Sequence, residues 1–139
     1  MREFGILLLV PFLGWTTADA SQLYRCEIRD AVSLGADGRL ERNQLVEKLA
    51  NIESPIIVDT STGAIRVGQF GSVQKWDVVQ AANSANDFVA VQSSIFREGR
   101  AAAATDFIRI RAWEGMNGKI LFIKYSLSII FTGTCDFIQ

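Results

Sequence analysis

Hydrophobic and polar residues alternate most regularly near the end of the chain, in KILFIKYSLSIIFTGTC, Lys119–Cys135. Leu121, Ile123, Tyr125, Leu127, Ile129 and Phe131 fall on odd positions; Lys124, Ser126, Ser128, Thr132 and Thr134 fall on even ones. Successive strand side chains point to opposite faces, so the pattern predicts strand structure with the odd positions buried. Leu23–Leu34 alternates in the same way. Tyr24, Cys26, Ile28, Val32 and Leu34 share one face, with Asp30 the exception, and Arg25, Glu27, Arg29 and Ser33 share the other. Gly35-Ala36-Asp37-Gly38 ends that strand as a turn.

The period then changes. Over Arg39–Ile52, Leu45, Leu49 and Ile52 fall at helical spacing with Val46 beside them, which predicts a short surface helix covering part of the core. Ser54-Pro55 stops it, because the residue before proline is pushed out of the helical region. Ile56-Ile57-Val58 and Ala64-Ile65-Arg66-Val67 flank the turn residues Asp59–Gly63 and predict a hairpin. Val73–Ala81, carrying Trp76 and Val78, and Asp87–Ser93 follow as strands around Asn83-Ser84-Ala85-Asn86. Ser94–Thr105 reads as a loop or a single helical turn. Asp106–Glu114 alternates Ile108, Ile110 and Ala112 against Arg109 and Arg111, and Gly115-Met116-Asn117-Gly118 turns into the last stretch.

As one strand, Lys119–Cys135 would extend beyond 50 Å at ~3.3 Å per residue, against a usual strand length of ~20 Å. It must bend, and Tyr125–Ser128 is the polar place to do so. The count becomes eight strands: 22–34, 56–60, 64–68, 73–81, 87–93, 106–114, 119–125 and 127–135. Cys26 lies near the start of the first and Cys135 at the end of the last. In an antiparallel meander those ends sit at one height only if the strand number is even. Eight strands can therefore close into a small barrel or strongly curled sheet capped by the helix, with a disulfide across the seam. A two-sheet sandwich is the alternative.

The first residues change the domain boundaries. Met1-Arg2 is followed by an apolar run from Gly5 to Leu13 and by Ala18-Asp19-Ala20, the order of a secretory signal peptide. The run is about half the ~20 residues of a membrane span. Residues 1–20 are expected to be the leader and 21–139 a single β domain, exported to the periplasm or beyond. Arginine just before Cys26 does not suit lipidation. In an oxidising compartment Cys26 and Cys135 are expected to form a disulfide; free thiols open to catalysis are the alternative.

Quoted together, Tyr24-x-Cys26-x-Ile28-x-Asp30-Ala31-Val32, Asp37-Gly38, Val58-Asp59-x-x-Thr62-Gly63 and Thr132-Gly133-Thr134-Cys135 give the chain a likeness. It resembles a group of small exported bacterial proteins with no assigned function. The resemblance implies export and a β domain, and it brings no catalytic residue, cofactor or ligand.

Charge and chemistry narrow the function. Removing Arg2, Glu3 and Asp19 leaves thirteen basic and thirteen acidic side chains, so there is no electrostatic footprint for nucleic acid or an anionic membrane. The chain contains no histidine, which removes the usual general base and the commonest metal ligand. Asp37-Gly38 imitates an EF-hand loop, but Ser33, Gly35 and Gln44 stand where carboxylates would be needed. Gly68-x-x-Gly71 is too short for a phosphate loop. No metal or cofactor is expected, and Trp76 and Trp113 read as core.

Paired carboxylates are the remaining catalytic option, with Asp30, Asp59, Asp77, Asp106 and Glu114 as candidates. Asp30 stands out on an apolar face, where it needs a partner such as Arg109 or Arg111. The expectation is a non-enzymatic binding or interaction module for an unidentified protein or envelope component. A carboxylate-based hydrolase and a small lipocalin-like carrier are the alternatives.

Overall fold

A computed structural model describes residues 22–83, 86–95, 103–116 and 119–138. The expected leader lies outside the described residues, as do 96–102; the rest of the stretch expected to be a loop or helical turn, 94–95 and 103–105, is strand instead, because the β7–β8 ladder extends through it. The chain forms β1 (Leu23–Leu34), β2 (Leu40–Glu41), α1 (Gln44–Glu53), β3 (Ile56–Asp59) and β4 (Ala64–Val67). There follow β5 (Val73–Lys75), β6 (Asp77–Gln80), β7 (Phe88–Ile95), β8 (Ala103–Met116), β9 (Lys119–Ser126) and β10 (Ile129–Ile138).

All strands belong to one antiparallel sheet in the order β5-β4-β3-β1-β10-β9-β8-β7-β6, with the two-residue β2 added beside β1. The two ends of that order are consecutive in sequence. Val73–Lys75 pairs with β4 and Asp77–Gln80 with β7. The run that reads as one strand, 73–81, thus bends at Trp76 and joins both edges of the sheet. Counted as one bent strand, and leaving β2 aside, it restores the eight-strand meander, nearly closed as a barrel. Trp76 is buried at the corner, and its backbone N–H donates to the Gly63 carbonyl at 2.8 Å. Gly63 has a φ of 75°, and a Cβ there would meet the Trp76 carbonyl oxygen at 2.6 Å. Glycine therefore lets the corner close.

On the other side, β1 and β10 pair from Leu23↔Ile138 to Ser33↔Ile129, with Cys26 directly opposite Cys135 and disulfide-bonded to it. The bend in the last stretch is a two-residue hairpin turn, Leu127-Ser128, with φ of 50° and 68°. Two successive positive φ values make the tight turn whose twist matches the flanking strands. A two-residue turn sets Ser126 opposite Ile129. The inward face therefore runs Phe122, Lys124, Ser126 and then Ile129, Phe131, Cys135, all buried. This corrects the expected face of β9: Leu121, Ile123 and Tyr125 point outward. The two-residue turn reverses the parity of the alternation.

A second parity change lies in β1, where the register shifts between Ile28 and Asp30. This bulge turns Ala31 inward and puts Asp30, Val32 and Leu34 on the outer face, so their expected grouping with Tyr24, Cys26 and Ile28 does not hold. Gly133 lies opposite Ile28, and a Cβ on it would meet the Glu27 carbonyl oxygen at 2.0 Å.

The barrel interior is filled by Tyr24, Ile56, Ile65, Trp76, Phe88, Ile108, Ile110 and Phe122 around the disulfide. Helix α1 closes one end over Ala31, Ile129 and Phe131. It begins at Asn43, whose side-chain oxygen accepts from the Val46 N–H at 3.0 Å, a normal N-cap. It buries Val46 and packs Leu49 and Ala50 inward, while Leu45 and Ile52 stay exposed. The inward stripe is thus rotated from the expected Leu45, Leu49 and Ile52.

Candidate interaction surface

The register of the sheet places outward residues side by side. Val32 lies opposite Ile130, Ile130 opposite Tyr125, Tyr125 opposite Phe107 and Phe107 opposite Val91. Five adjacent strands, β1, β10, β9, β8 and β7, thus carry one unbroken apolar row on the outside of the barrel. The next row reads Asp30, Thr132, Ile123, Arg109, Val89. Leu121 continues the apolar positions along β9. None of the apolar members of these rows is fully buried. At one rim Leu34, opposite Leu40, is 58 % exposed and Leu127 is 74 % exposed.

At ~4.8 Å between strands, the five-strand apolar row is roughly 20 Å long; Tyr125 is its exposed member and the other four are half-buried. β9 makes the point most directly. Its polar side chains, Lys124 and Ser126, are buried in the barrel, and its apolar ones face out. The alternation is legible in the sequence; which of its two faces is buried is not.

The carboxylates do not assemble into a catalytic pair. Asp30 takes both arms of the Arg42 guanidinium, at 3.0 and 2.7 Å, and also accepts the Ala31 N–H at 2.9 Å. Its partner is Arg42, not Arg109 or Arg111, and the hydrogen bond from Arg42 holds its carboxyl below the usual aspartate value. Asp59 accepts the Ser61 hydroxyl at 2.6 Å and the Ser61 and Thr62 amides at the β3–β4 turn. The Ser61 hydroxyl bond is the main cause lowering its pKa. Asp59 sits opposite Leu23, seven residues along β1 from Asp30, about 23 Å away.

Asp77 is exposed and outward, opposite Val91. Asp106 is half-buried opposite Gln92, on the inward parity of Ile108 and Ile110, with Oδ1 buried and without a hydrogen bond. Asp77 and Asp106 therefore sit on opposite faces. The side chains of Glu114 and Trp113 lie outside the described residues. Arg109 donates instead to Asp87, a buried carboxylate missed in the sequence because it precedes a strand in a turn.

A cleft of about 420 Å³ lies between the β1 bulge and α1, lined by Arg29, Asp30, Arg42, Glu47, Ala50 and Asn51. It marks where the edge of β1 lacks a strand partner between β3 and β2. The protein's own side chains serve that edge: Ser54 Oγ accepts the Ile28 N–H at 3.3 Å and Asp30 accepts the Ala31 N–H. Asp30 is thus explained as a plug for the bulge. Among the described residues no helix is long and apolar enough to cross a membrane.

No protein-family model, curated protein or solved structure matches the chain.

Proposed function

We propose that this chain is an exported, non-enzymatic β-barrel module that docks a protein through the outward band centred on Tyr125. The observation that carries this reading is the apolar row Val32–Ile130–Tyr125–Phe107–Val91 across five strands. A soluble barrel with a filled interior has no folding need for that row, so its cost in exposed apolar surface calls for an occupant. Export is supported by the leader-like residues 1–20 and by the Cys26–Cys135 bond, which suits an oxidising compartment. A lipocalin-like carrier needs interior space where Trp76, Phe88 and Phe122 are packed. A hydrolase needs a protonated and an ionised carboxyl side by side, whereas Asp30 and Asp59 are both held ionised by their own partners.

The test is site-specific photo-crosslinking in the producing cell. A photoreactive amino acid at Ile123 is expected to capture a protein chain. The same group at Val73, exposed on β5 across the barrel, is expected to capture none. Equal labelling from both positions, or none from Ile123, would remove the band as a docking surface.

A further inference from the structure

We infer that the barrel wall across from the Tyr125 band carries a binding site for a small zwitterion, an α-amino acid with an apolar side chain, held between Asp59 and Arg66. The site is independent of the docking reading, so capture or its failure at Ile123 leaves it untouched. A groove of about 280 Å³ crosses the outside of β1, β3, β4 and β5, lined by Leu23, Ile57, Asp59, Ala64, Arg66 and Val73. The register accounts for its shape. One outward row runs Leu23, Asp59, Ala64, Lys75, and the next runs Ile57, Arg66, Val73. Ala64 is the small residue among larger ones, so the wall dips there. Leu23, Ile57, Ala64 and Val73 make the groove mostly apolar, and the exposed Lys75 stands outside its lining.

The two charges in this groove lie diagonally across the β3–β4 ladder, where neighbours are ~7–8 Å apart. They do not pair with each other. Arg66 is half-buried and, among the described residues, has no hydrogen-bond or ion-pair partner. Asp59 has no ion pair among the described residues either. The Ser61 hydroxyl and the Ser61 and Thr62 amides all reach its Oδ1, and none of the three reaches Oδ2. A guanidinium beside apolar side chains gains from a carboxylate that it can take with two nitrogens. A singly charged ligand meets one friendly charge and one hostile one. A lone carboxylate is opposed by Asp59, and a lone amine by Arg66. A molecule carrying both charges meets each with its opposite, and its side chain lies on Leu23, Ile57 and Val73. The volume falls just below the ~300–1,000 Å³ of sites for drug-sized ligands, so it suits an aliphatic amino acid and is too small for a long acyl chain.

Amide NMR of protein expressed from the full-length sequence, titrated with L-leucine, tests the site. Saturable shifts are expected at Ile57, Ala64, Arg66 and Val73. The groove is open to water and its charged contacts are modest, so the dissociation constant should be on the order of 1 mM. Three analogues each remove one element: 4-methylpentanoate the ammonium, 3-methylbutylamine the carboxylate, and glycine the side chain. Each is expected to bind about tenfold more weakly than leucine, or worse. Arg66→Gln is expected to lose about tenfold for leucine, with its spectrum unchanged outside the groove.

No saturable shift up to about 20 mM leucine overturns the site. So does leucine bound no better than any one of the three analogues, or bound equally by Arg66→Gln. Shifts centred on the Tyr125 band rather than on the groove overturn it as well. The analogues need no substitution, so they decide the matter even where Arg66→Gln fails to fold.

Discussion

At the scale of single residues, the tightest constraint is Gly133. A methyl group there would meet the Glu27 carbonyl oxygen at 2.0 Å and the Phe122 ring at 2.8 Å. Both neighbours are held, one by the β1 backbone and the other by the core. Gly133→Ala is therefore expected to lower stability by about 3 kcal/mol, read as a lower urea midpoint with unchanged slope. Glycine inside a strand is a legible sign of close backbone approach. Its counterpart, the bulge after Ile28, is not legible, since Arg29 bears no residue signal of a bulge. Asp30 was legible as an oddity on an apolar face, but its meaning depended on the bulge that turns it outward. The pH dependence follows from the two lowered carboxyls. A group whose folded pKa lies below its unfolded value of about 3.9 stabilises above that value, and the contribution disappears as pH falls through the folded pKa. Asp30→Asn and Asp59→Asn should therefore each lower the urea midpoint at pH 7. The difference from the parent should shrink steadily below about pH 4.

At the scale of elements, the β9–β10 hairpin and α1 depend on one buried charge. Lys124 is 2 % exposed, its Nζ lies 2.5 Å from Glu53 Oε2, and it sits 4.9 Å from the centroid of the Phe131 ring. Glu53 is the last residue of α1, so the pair ties the helix to the barrel interior. The partners are unequal. The Glu53 side chain is 21 % exposed and that of Lys124 only 3 %. Glu53→Gln strands a buried ammonium and is expected to cost about 3 kcal/mol. Lys124→Met leaves a carboxylate that water reaches and should cost clearly less; thermal melts of the two variants check the order. The hairpin also shows what limits a sequence reading. Bending at Tyr125–Ser128 was legible from strand length and parity, because no strand of that span fits a small domain. The assignment of faces was not, because Leu127-Ser128 lacks the Asn-Gly signature and its two residues exchange odd for even. Both faces of β9 then look equally plausible from sequence, and the outward band stayed hidden behind an expected core.

At the scale of the molecule, the barrel has two closures of different kinds. The β1–β10 seam is a long ladder with a covalent bond across a sequence separation of 109 residues. Its existence was legible, since two cysteines at the outer strands of an even meander have one place to meet. The Trp76 corner was legible as a strand but not as a bend, because nothing at Lys75-Trp76-Asp77 resembles a turn. There the sheet passes from one edge to the other through short strands whose residues are all exposed. Beyond its short ladders with β4 and β7 and the buried Trp76 ring, its supports include the Trp76–Gly63 backbone bond and a side-chain bond from Gln92 to Gln74 at 2.8 Å. Local opening follows sparse burial and short ladders. Native-state hydrogen exchange is therefore expected to be fastest, among the strands of the barrel, at Val73–Gln80 and slowest along β1 and β10. Replacing Cys26 and Cys135 by alanine should lower global stability by about 4–5 kcal/mol, the value the chain-entropy model gives for so long a loop. The loss should accelerate exchange in β1 and β10, which open only with the whole barrel, and leave the corner unchanged, since it opens by itself. Equal acceleration in both places would mean that the corner is locked by the seam and that the barrel opens as a single unit.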